Sequence, residues 1–469
     1  MAGTQPARGM RDFLPDDVRR RAFVVDAIRR VYERYGFEPL ETPAVENLET
    51  LLGKYGDEGN KLIFKILKRG DHEGSGEADL ALRYDLTVPM ARVIAEYHAK
   101  LPRFFKRYQI QPVWRADRPA RGRFREFYQC DLDIIGTTSL MVEADVCAAV
   151  CDVLRTLGFP DFVLRLNHRQ LLNAILDTAG VPADRHGDAL VALDKWDKVG
   201  REGVAVELSA RGVSSDAGSR LMVLFASLDA AEGEAGGDAA AREACNRAVL
   251  RTIEAFLGEH PGGVAARAEL QDLLALCAQT PAAGHLRVDA TLARGLSYYT
   301  GTIMEVSVPD LAGSLGGGGR YDRLVGMFLG NDVPACGFSL GLERIIVVMS
   351  ERRMFPPTLA AANADVLVTL WNDEARADAL GLACGLRAAG LRVDVYPDAD
   401  RLGKQFKYAS ARAIAFVLVA GDDERARGEV AVKDLRKGTQ VSVARADVAA
   451  HLRAAVFERA GADVGTIGG

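Results

Sequence analysis

Several features that mark common protein classes are scarce or missing in this 469-residue chain. It has seven cysteines, an odd number, and none stands in a Cys-x-x-Cys pair, so neither a zinc framework nor a disulfide scaffold is indicated. The most continuous apolar run, Ala413–Ala420, is far shorter than the ~20 residues of a membrane helix. The amino-terminal residues contain no apolar core segment, which argues against a secretory signal. We therefore expect a globular protein of the reducing cytoplasm.

The usual nucleotide and zinc motifs are missing too. The glycine run 316–319 cannot hold a G-x-G-x-x-G pattern, because the last glycine position falls on Tyr321 or Asp322. Lys54 and Lys404 follow glycines but precede Tyr and Gln, where a P-loop needs Ser or Thr. No His-Glu-x-x-His occurs and the seven histidines are scattered, so no metal held by the protein is predicted. A Rossmann dehydrogenase and a P-loop enzyme are disfavoured.

The charge that is present is unevenly distributed. The whole chain carries −5, which by itself gives no sign of a nucleic-acid partner. Residues 101–125, however, contain eight Lys or Arg and a single acid, Asp117, a local charge of +7. Seven of the eight are Arg, whose planar guanidinium makes paired hydrogen bonds to phosphate oxygens. The segment indicates a phosphate site, with a solvated basic face as the alternative.

The residue pattern predicts an α/β chain with a break near 351–364, where Pro356 and Pro357 precede an Ala/Asn run. A helix is predicted from Pro15 to a stop at Gly36, because apolar residues recur there at three- and four-residue steps. Aromatic and β-branched residues predict strands in 101–136 and 288–309, and a strand followed by a helix in 334–350. Residues 160–285 are helical in composition, and residues beyond 364 alternate strands and helices around a mixed sheet.

Several segments resemble class II aminoacyl-tRNA synthetases. RADRP with Arg115, followed by GRFREFYQCD, resembles motif 2, GLERI with Arg344 resembles motif 3, and ETPAVE with Pro43 is similar to motif 1. ALRYDLTVP, ARGLSYYTG and GGGGRYD narrow the resemblance to the histidyl-tRNA synthetase family, while the class I signatures are absent. The resemblance implies an antiparallel catalytic sheet flanked by helices in 1–350 with a helical insertion at about 160–285, a linker at 351–364, and an α/β anticodon-binding domain in 365–469.

The resemblance also implies a reaction and a set of residues for it. Histidine would be activated by ATP, accompanied by Mg²⁺, and transferred to tRNA(His). Arg115 and Arg294 would be the catalytic residues, on opposite sides of the α-phosphate. The expected ATP contacts are Arg115, Asp117, Arg123 and Arg344. Two departures from the family pattern are Asp117, where class II enzymes generally carry Glu, and Ser297, where Asp is usual.

The histidine substrate would contact Asp85, Leu86, Thr87, Arg115, Gln129, Asp133, Arg294, Tyr298 and Tyr299. The ammonium needs acceptors, which Asp85, Thr87 and Gln129 provide, and the imidazole needs partners for both nitrogens. A strand normally buries one of two adjacent tyrosines, so we expect one ring of the pair in the core and one in the site. Gly316–Gly319 would let the backbone pass close to the bound amino acid, with a flexible loop as the alternative, and Tyr321 would follow on the rim.

Contacts to tRNA are expected from Arg121 and from a second basic patch, Arg401, Lys404 and Lys407, with an amphipathic helix as the alternative. The insertion is expected to serve tRNA contact or structure and not hydrolysis, and the family implies a homodimer built across motif 1. Two other hypotheses about the function stay open. One is a non-catalytic paralogue such as the regulatory subunit of ATP phosphoribosyltransferase, and the other is a regulator that binds RNA without charging it. Retention of Arg115, Arg294 and Arg344 argues against both.

Overall fold

A computed structural model describes residues 3–70, 74–232, 238–293, 298–360 and 363–464. The chain divides into two compact units, Met1–Phe355 and Pro356–Gly469. This boundary falls inside the segment 351–364, where the sequence predicts a linker.

The first helix of unit 1 forms as its sequence predicts. It begins at Pro15, which lacks the N–H that would be unpaired there, and Asp16 and Asp17 lie in its first turn beside the positive end of the helix dipole. It ends at Arg34, just before Gly36 with φ +77°. The helices of this unit are α1 Pro15–Arg34, α2 Leu48–Leu51, α3 Gly56–Lys61, α4 Thr87–Tyr97, α5 Met141–Thr156, α6 Arg169–Ala179, α7 His186–Leu193, α8 Trp196–Ala210, α9 Ser215–Glu232, α10 Ala239–Leu257, α11 Pro261–Cys277, α12 Gly326–Leu329 and α13 Leu342–Glu351.

The strands of unit 1 form two sheets among the described residues. The larger has the order β1-β5-β6-β11-β10-β9-β7-β8, with antiparallel pairs except at its two edges, and the smaller has the antiparallel order β2-β4-β3. Their ranges are β1 Glu38–Pro39, β2 Val45–Asn47, β3 Lys65–Leu67, β4 Ala78–Leu82, β5 Phe105–Trp114, β6 Glu126–Ile135, β7 Val163–His168, β8 Leu286–Val288, β9 Thr302–Ser307, β10 Gly316–Arg320 and β11 Ala335–Gly341.

Two of the predictions for this unit are wrong in part. The segment 160–285 is not helical throughout, because β7 lies within it and pairs with β9, and the helices occupy 169–277. The first strand predicted within 288–309 ends already at Val288, because the Asp289 carboxylate accepts hydrogen bonds from the Thr291 N–H (2.9 Å) and hydroxyl (2.6 Å) and closes a turn. The strands within 101–136 and the strand-to-helix step within 334–350 are confirmed.

The two faces of the larger sheet differ in chemistry. On one face Cys130, Leu132 and Ile134 of β6 pack with apolar residues of the neighbouring strands and with the buried sides of α1 and α5. Burial of such side chains contributes about 25 cal/mol per Å² of apolar surface. The other face of the same strands is polar, and it forms the floor of the cavity described below.

Unit 2 contains a five-stranded mixed sheet with the order β13-β12-β14-β15-β16, in which β12 is parallel to both β13 and β14. The predicted alternation of strands and helices is confirmed. Its elements are β12 Val366–Val368, α14 Arg376–Ala388, β13 Val393–Val395, α15 Leu402–Ala411, β14 Phe416–Val419, α16 Asp422–Arg427, β15 Glu429–Asp434, β16 Thr439–Ala444 and α17 Val448–Val464.

Candidate active site

The polar face of the larger sheet brings together residues that are distant in sequence. Cross-strand partners in an antiparallel sheet point to the same side, and successive residues alternate between sides. The register therefore aligns Asp133 with Arg107 and Gly337, and Asp131 with Gln109 and Ser339. A third row pairs Gln129 with Gln111 and Gly341. These three rows form a hydrophilic floor under a cavity of about 1310 Å³.

Glycines keep the floor low where it crosses β10 and β11. Gly317, Gly319, Gly337 and Gly341 lie in register with the polar residues and supply no side chain above the sheet. At Gly337 a Cβ would stand 1.8 Å from Asp133 Oδ1, so a larger residue cannot be accommodated without displacing that carboxylate. The run 316–319 is the central strand β10, which supports the predicted close backbone approach, and the flexible-loop alternative is wrong.

A buried ionic cluster lies at the centre of the floor. Arg107 is 0% exposed, and its Nη2 lies 2.6 Å from Asp133 Oδ2 and 3.9 Å from Asp131 Oδ2. The hydroxyl of Tyr321 donates to Asp133 Oδ1, and Tyr321 is 2% exposed, so its predicted place on the rim is wrong. Burial raises the pKa of Asp133, and it raises that of Asp131 to about 7, against the opposing effect of the Arg107 charge.

The candidate ammonium-binding residues line the same cavity. Asp85 is 1% exposed, and its Oδ1 accepts hydrogen bonds from the Tyr55 hydroxyl (2.9 Å) and the Val88 N–H (3.1 Å). Gln129 donates through Nε2 to Ser339 Oγ at 2.9 Å. Asp85, Thr87 and Gln129 all line the cavity. Burial raises the pKa of Asp85, because a desolvated carboxylate favours its neutral form.

The tyrosine pair and Leu86 differ from their predicted placement. Both Tyr298 and Tyr299 line the cavity, with ring centroids 5.1 Å apart, so the prediction of one ring in the core is wrong. Strand alternation does not apply to them, because β9 begins only at Thr302. Leu86 is 0% exposed, precedes α4 and is not among the cavity-lining side chains of the described residues. Burial raises the pKa of both tyrosine hydroxyls and keeps them neutral.

The four candidate ATP-binding residues line the cavity. Arg115 donates through Nε to the Tyr84 carbonyl at 3.0 Å, and its guanidinium lies 4.3 Å from the centre of the Tyr84 ring. Asp117 accepts from Arg123 Nη2 at 2.8 Å. Arg344, at the start of α13, donates to the Ser314 carbonyl. These contacts orient three cationic side chains along one wall of the cavity.

Glycines on two loops make room for Arg344. Gly122 (φ +68°) comes so close that an added Cβ would lie 3.3 Å from Arg344 Cγ. At Gly313 (φ +98°), an added Cβ would lie 3.4 Å from Arg344 Nη1. Both backbone conformations favour glycine, so the two loops are shaped to hold this arginine between them.

The basic segment 101–125 is less available than its charge suggests. Arg107 is buried against Asp133, and Lys106 lies 2.6 Å from Asp145. Arg123 pairs with Asp117, and Arg121 forms an ion pair with Glu351. Arg121 also lines the cavity, half-exposed on the same loop. The local charge of +7 therefore does not represent seven free cations.

Two residues singled out from the sequence, Arg294 and Ser297, lie outside the described residues. In unit 2, Arg401 and Lys407 are exposed, the latter on α15. Lys404 is 70% exposed and pairs with Asp400 at 2.9 Å.

Sequence reasoning missed several residues of the floor. Asp131, Arg107 and Ser339 were not singled out, although Gln129, Asp131 and Asp133 alternate in QCDLD and must share one face of a strand. That alternation was the available signal. Tyr55 carried no signal of its own, since it reaches Asp85 from the bend between α2 and α3.

Among the described residues no group of three or more His, Cys, Asp or Glu is arranged to hold a metal ion. The buried Glu343 beside Arg344 accepts from Arg21 Nη1 (2.8 Å) and from the Tyr128 N–H (2.9 Å), which occupies both of its oxygens.

In the described part of the chain no helix is both long enough and apolar enough to cross a membrane.

Comparison with known proteins gives a consistent result. A sequence model of histidyl-tRNA synthetase matches residues 9–345, and one of an anticodon binding domain matches residues 365–455. The histidine--tRNA ligase of Gloeobacter violaceus is 39% identical over 464 residues, with 93% of this chain and 95% of the relative covered.

Two solved structures extend the comparison. The histidyl-tRNA synthetase of Nostoc sp. PCC 7120 superposes with a TM-score of 0.75 at 31% identity, covering 97% of this chain and 99% of that one. An ATP phosphoribosyltransferase regulatory subunit/histidyl-tRNA synthetase from Bacillus halodurans gives 0.69 at 23% identity, covering 87% and 98%, a likeness that shows the fold alone. The chain belongs to the histidyl-tRNA synthetase family.

Proposed function

We propose that this chain is a histidine--tRNA ligase that activates L-histidine with ATP and transfers it to tRNA(His). The observation that carries the proposal is the polar floor, which places buried acceptors for an ammonium and an imidazole beside a wall of arginines suited to phosphates. An apolar cavity or a floor without arginines would not suit both substrates. Family membership supplies the reaction that unites them.

The reaction has two steps. A histidine carboxylate oxygen attacks the α-phosphorus of ATP and displaces pyrophosphate, giving histidyl-adenylate. A terminal ribose hydroxyl of the tRNA then attacks the activated carbonyl carbon, and AMP leaves. Arg115, held by the Tyr84 carbonyl, would bind the α-phosphate and the carboxylate, and Arg294 would approach from the opposite side. Positioning and charge neutralisation supply the rate gain in such transfers.

The nucleotide would extend along the wall formed by Arg123 and Arg344. Arg344 is held between two loops, so its guanidinium is oriented before ATP binds. Asp117, paired with Arg123, would fix that arginine more than contact ATP itself. The carboxylates of Asp117 and Glu343 already have partners, so ATP phosphates would supply most Mg²⁺ ligands. The bound Mg²⁺ would neutralise phosphate charge during the attack.

Selectivity for histidine would come from hydrogen bonding to the imidazole. Asp133 is fixed by Arg107 and Tyr321, and Tyr298 and Tyr299 line the cavity with neutral hydroxyls. An imidazole is a small ring with a donor and an acceptor, and a site that pairs both rejects an apolar analogue by ~10⁴–10⁵-fold. No hydrolytic role for the insertion is needed, and we propose that it serves tRNA contact or structure. Gly187, Leu190 and Arg211 of the insertion line the cavity, which supports a contact with the acceptor end.

For tRNA we propose contacts at both ends of the molecule. Arg121 lies on the loop between β5 and β6 at the cavity mouth, and Arg401, Lys404 and Lys407 lie at or on α15 in unit 2. We assign 1–350 as the catalytic domain, 351–364 as the linker and 365–469 as the anticodon-binding domain. The exposed lysines and arginine would contact phosphates, which give affinity without sequence information.

We also propose a homodimer in the cytoplasm. The small sheet next to Pro43 exposes apolar side chains, with Val45 at 39%, Leu67 at 54% and Leu80 at 36%. Clustered exposed apolar residues mark interfaces. Sedimentation at micromolar protein should give twice the 50.6 kDa chain mass. All seven cysteines are free thiols, six of them buried, which suits a reducing compartment.

The deciding experiment is histidine-dependent exchange of pyrophosphate into ATP by the purified chain, followed by charging of tRNA(His). Exchange would exclude both the regulatory paralogue and the RNA-binding regulator, and its absence with folded protein would overturn the proposal. Arg294→Ala should reduce exchange by orders of magnitude while the circular dichroism stays native. Near-normal exchange by that variant would reject the role of Arg294.

A further inference from the structure

Four buried oxygen atoms of cavity-lining residues have no protein hydrogen-bond partner within the described residues. One of them, Asp133 Oδ2, is ion paired with Arg107 at 2.6 Å, and the other three are Asp85 Oδ2, Gln129 Oε1 and Asp131 Oδ1. Asp85 is 1% exposed, Gln129 8% and Asp131 2%, so water has little access to them. Buried acceptors without partners are costly, and in native proteins they call for an explanation. A ligand that brings N–H donors to this place would satisfy them.

The three atoms are held in fixed orientations by their neighbours. Asp85 Oδ1 accepts the hydrogen bonds from Tyr55 and Val88, which leaves Oδ2 as the open acceptor. Gln129 donates through Nε2 to Ser339 Oγ, so its amide is turned with Oε1 away from Ser339. The Ser339 hydroxyl in turn hydrogen-bonds with Asp131. Asp131 thus fixes the amide orientation of Gln129 through Ser339.

The nearby charges favour a cation over Asp131. Arg107 lies 2.6 Å from Asp133 and 3.9 Å from Asp131, so its close ion pair is with Asp133. Asp85, Asp131 and Asp133 are three buried carboxyls, and two guanidiniums act on them, Arg107 on all three and Arg115 on Asp85. An ammonium group carries three N–H donors and one positive charge, which matches three open acceptors and the excess negative charge.

We propose that Asp131 is a further histidine-binding residue, whose Oδ1 accepts one N–H of the substrate ammonium, in the place expected for Thr87, while Asp85 Oδ2 and Gln129 Oε1 accept the other two. This inference rests on the proposed function, because it assigns the ammonium of the same amino acid. Asp133, with its oxygens turned to Arg107 and Tyr321, remains on the imidazole side. Asp131 thereby serves as both a ligand and a positioning residue for Gln129.

The experiment compares the full-length chain with its Asp131→Asn variant. Binding of histidine, of histidinol and of imidazole-4-propionate is measured by calorimetry. Histidinol keeps the ammonium but lacks the carboxylate, and imidazole-4-propionate lacks the ammonium. Asp131→Asn should weaken histidine and histidinol by about 10- to 100-fold, the range for a charged hydrogen bond, and imidazole-4-propionate by less than about threefold. A second variant, Ser339→Ala, keeps the carboxylate and should weaken histidine by about three- to tenfold through the freed Gln129 amide.

The outcomes separate a ligand from a structural residue. Equal weakening of all three compounds, or unchanged histidine binding, would overturn the inference. If Asp131→Asn does not fold, the test rests on Ser339→Ala alone. An unchanged ratio of histidine affinity to imidazole-4-propionate affinity in Ser339→Ala would then overturn the inference. Pyrophosphate exchange by the wild-type chain is measured in parallel. If the wild type shows no exchange, the proposed function is refuted. If the wild type is active but histidine binding is unchanged in the variant, only the role of Asp131 is refuted.

Discussion

Arg107 Nη2 lies 2.6 Å from Asp133 Oδ2, and both residues are buried in the cavity floor. The two side chains face each other because β5 and β6 pair Arg107 directly with Asp133. Tyr321 closes the arrangement by donating to the second oxygen of Asp133. The floor of the site is therefore held by a buried ion pair, one member of which, Asp133, lines the cavity.

Removing the cation should damage the fold more than the chemistry. Arg107→Met leaves Asp131 and Asp133 as buried carboxyls without compensation, and we expect a loss of about 3–5 kcal/mol in the free energy of unfolding. Urea unfolding followed by fluorescence measures it. The control is Arg103→Met, an exposed residue at the start of the same segment, which should change stability by less than about 0.5 kcal/mol. Equal stability of the two variants would show that Arg107 does not compensate the carboxyls.

Gly337 should be intolerant of a single methyl group. A Cβ there would lie 1.8 Å from Asp133 Oδ1, so Gly337→Ala must displace the carboxylate from Tyr321 and from the imidazole position. We expect histidine affinity to fall by at least about tenfold, the equivalent of one lost hydrogen bond to a charged group. Titration calorimetry with histidine is the measurement.

The matched control carries the same change on a helix of the same unit. Gly218 lies in α9, and no atom of the described chain comes within 4 Å of an added Cβ. Gly218→Ala should leave histidine binding unchanged and stabilise the unit by about 0.5–1 kcal/mol, because Ala is the better helix former. A comparable loss of affinity in both variants would contradict the close-contact argument.

Local signals account for the elements that the sequence predicts well. Pro15 with the acidic first turn defines α1, and the aromatic, β-branched run defines β5 and β6. The strand β7 was not predicted because VLRLNH is short, leads directly into α6, and pairs only with β8 and β9, about 120 and 140 residues later. The glycine run gives no strand signal either. Its strand conformation comes from pairing with β9 and β11, and glycine is required because a Cβ at Gly318 would lie 2.1 Å from the Gly337 carbonyl oxygen.

The candidate site shows the same difference between residues with a local sequence signal and residues placed only by strand pairing. Family resemblance located Asp85, Gln129 and Asp133, because each lies within a recognisable motif. Arg107 and Ser339 have no such motif, and they enter the site only through cross-strand register with β6. Register is a property of paired strands and is not encoded in any one segment. Tyr298 and Tyr299 were misjudged because they precede the strand on which the alternation rule was applied.

Histidine binding should weaken below neutral pH. The carboxyl of Asp131 has its pKa raised by burial to about 7, and it is faced by Arg107 from β5, by Asp133 on its own strand, by Ser339 from β11, and by Asp85, Tyr298 and Tyr299. Since an ammonium favours the ionised carboxylate, affinity should fall as protons bind Asp131, by about tenfold between pH 8 and pH 6. Histidinol should show the same slope.

The substrate imidazole titrates in the same range, so a control must separate the two groups. Imidazole-4-propionate shares the imidazole but lacks the ammonium, and the difference between its pH profile and that of histidine isolates the ammonium site. Asp131→Asn should make the two profiles parallel. A difference that persists in the variant would place the titrating group elsewhere in the cavity.

Lys407 on α15 offers a test of the anticodon-side contact that spares the active site. It is exposed, so Lys407→Glu should leave the fold and pyrophosphate exchange unchanged. If Lys407 contacts a phosphate, charge reversal should raise the KM for tRNA(His) several-fold. The slope of log K for tRNA binding against log salt concentration should become shallower by about one unit. Lys437→Glu, in the exposed turn between β15 and β16, is the matched control and should change KM by less than about twofold. Equal effects of the two variants on KM would indicate a general electrostatic attraction of tRNA to unit 2. Reduced pyrophosphate exchange in Lys407→Glu would show that the substitution on α15 also affects catalysis.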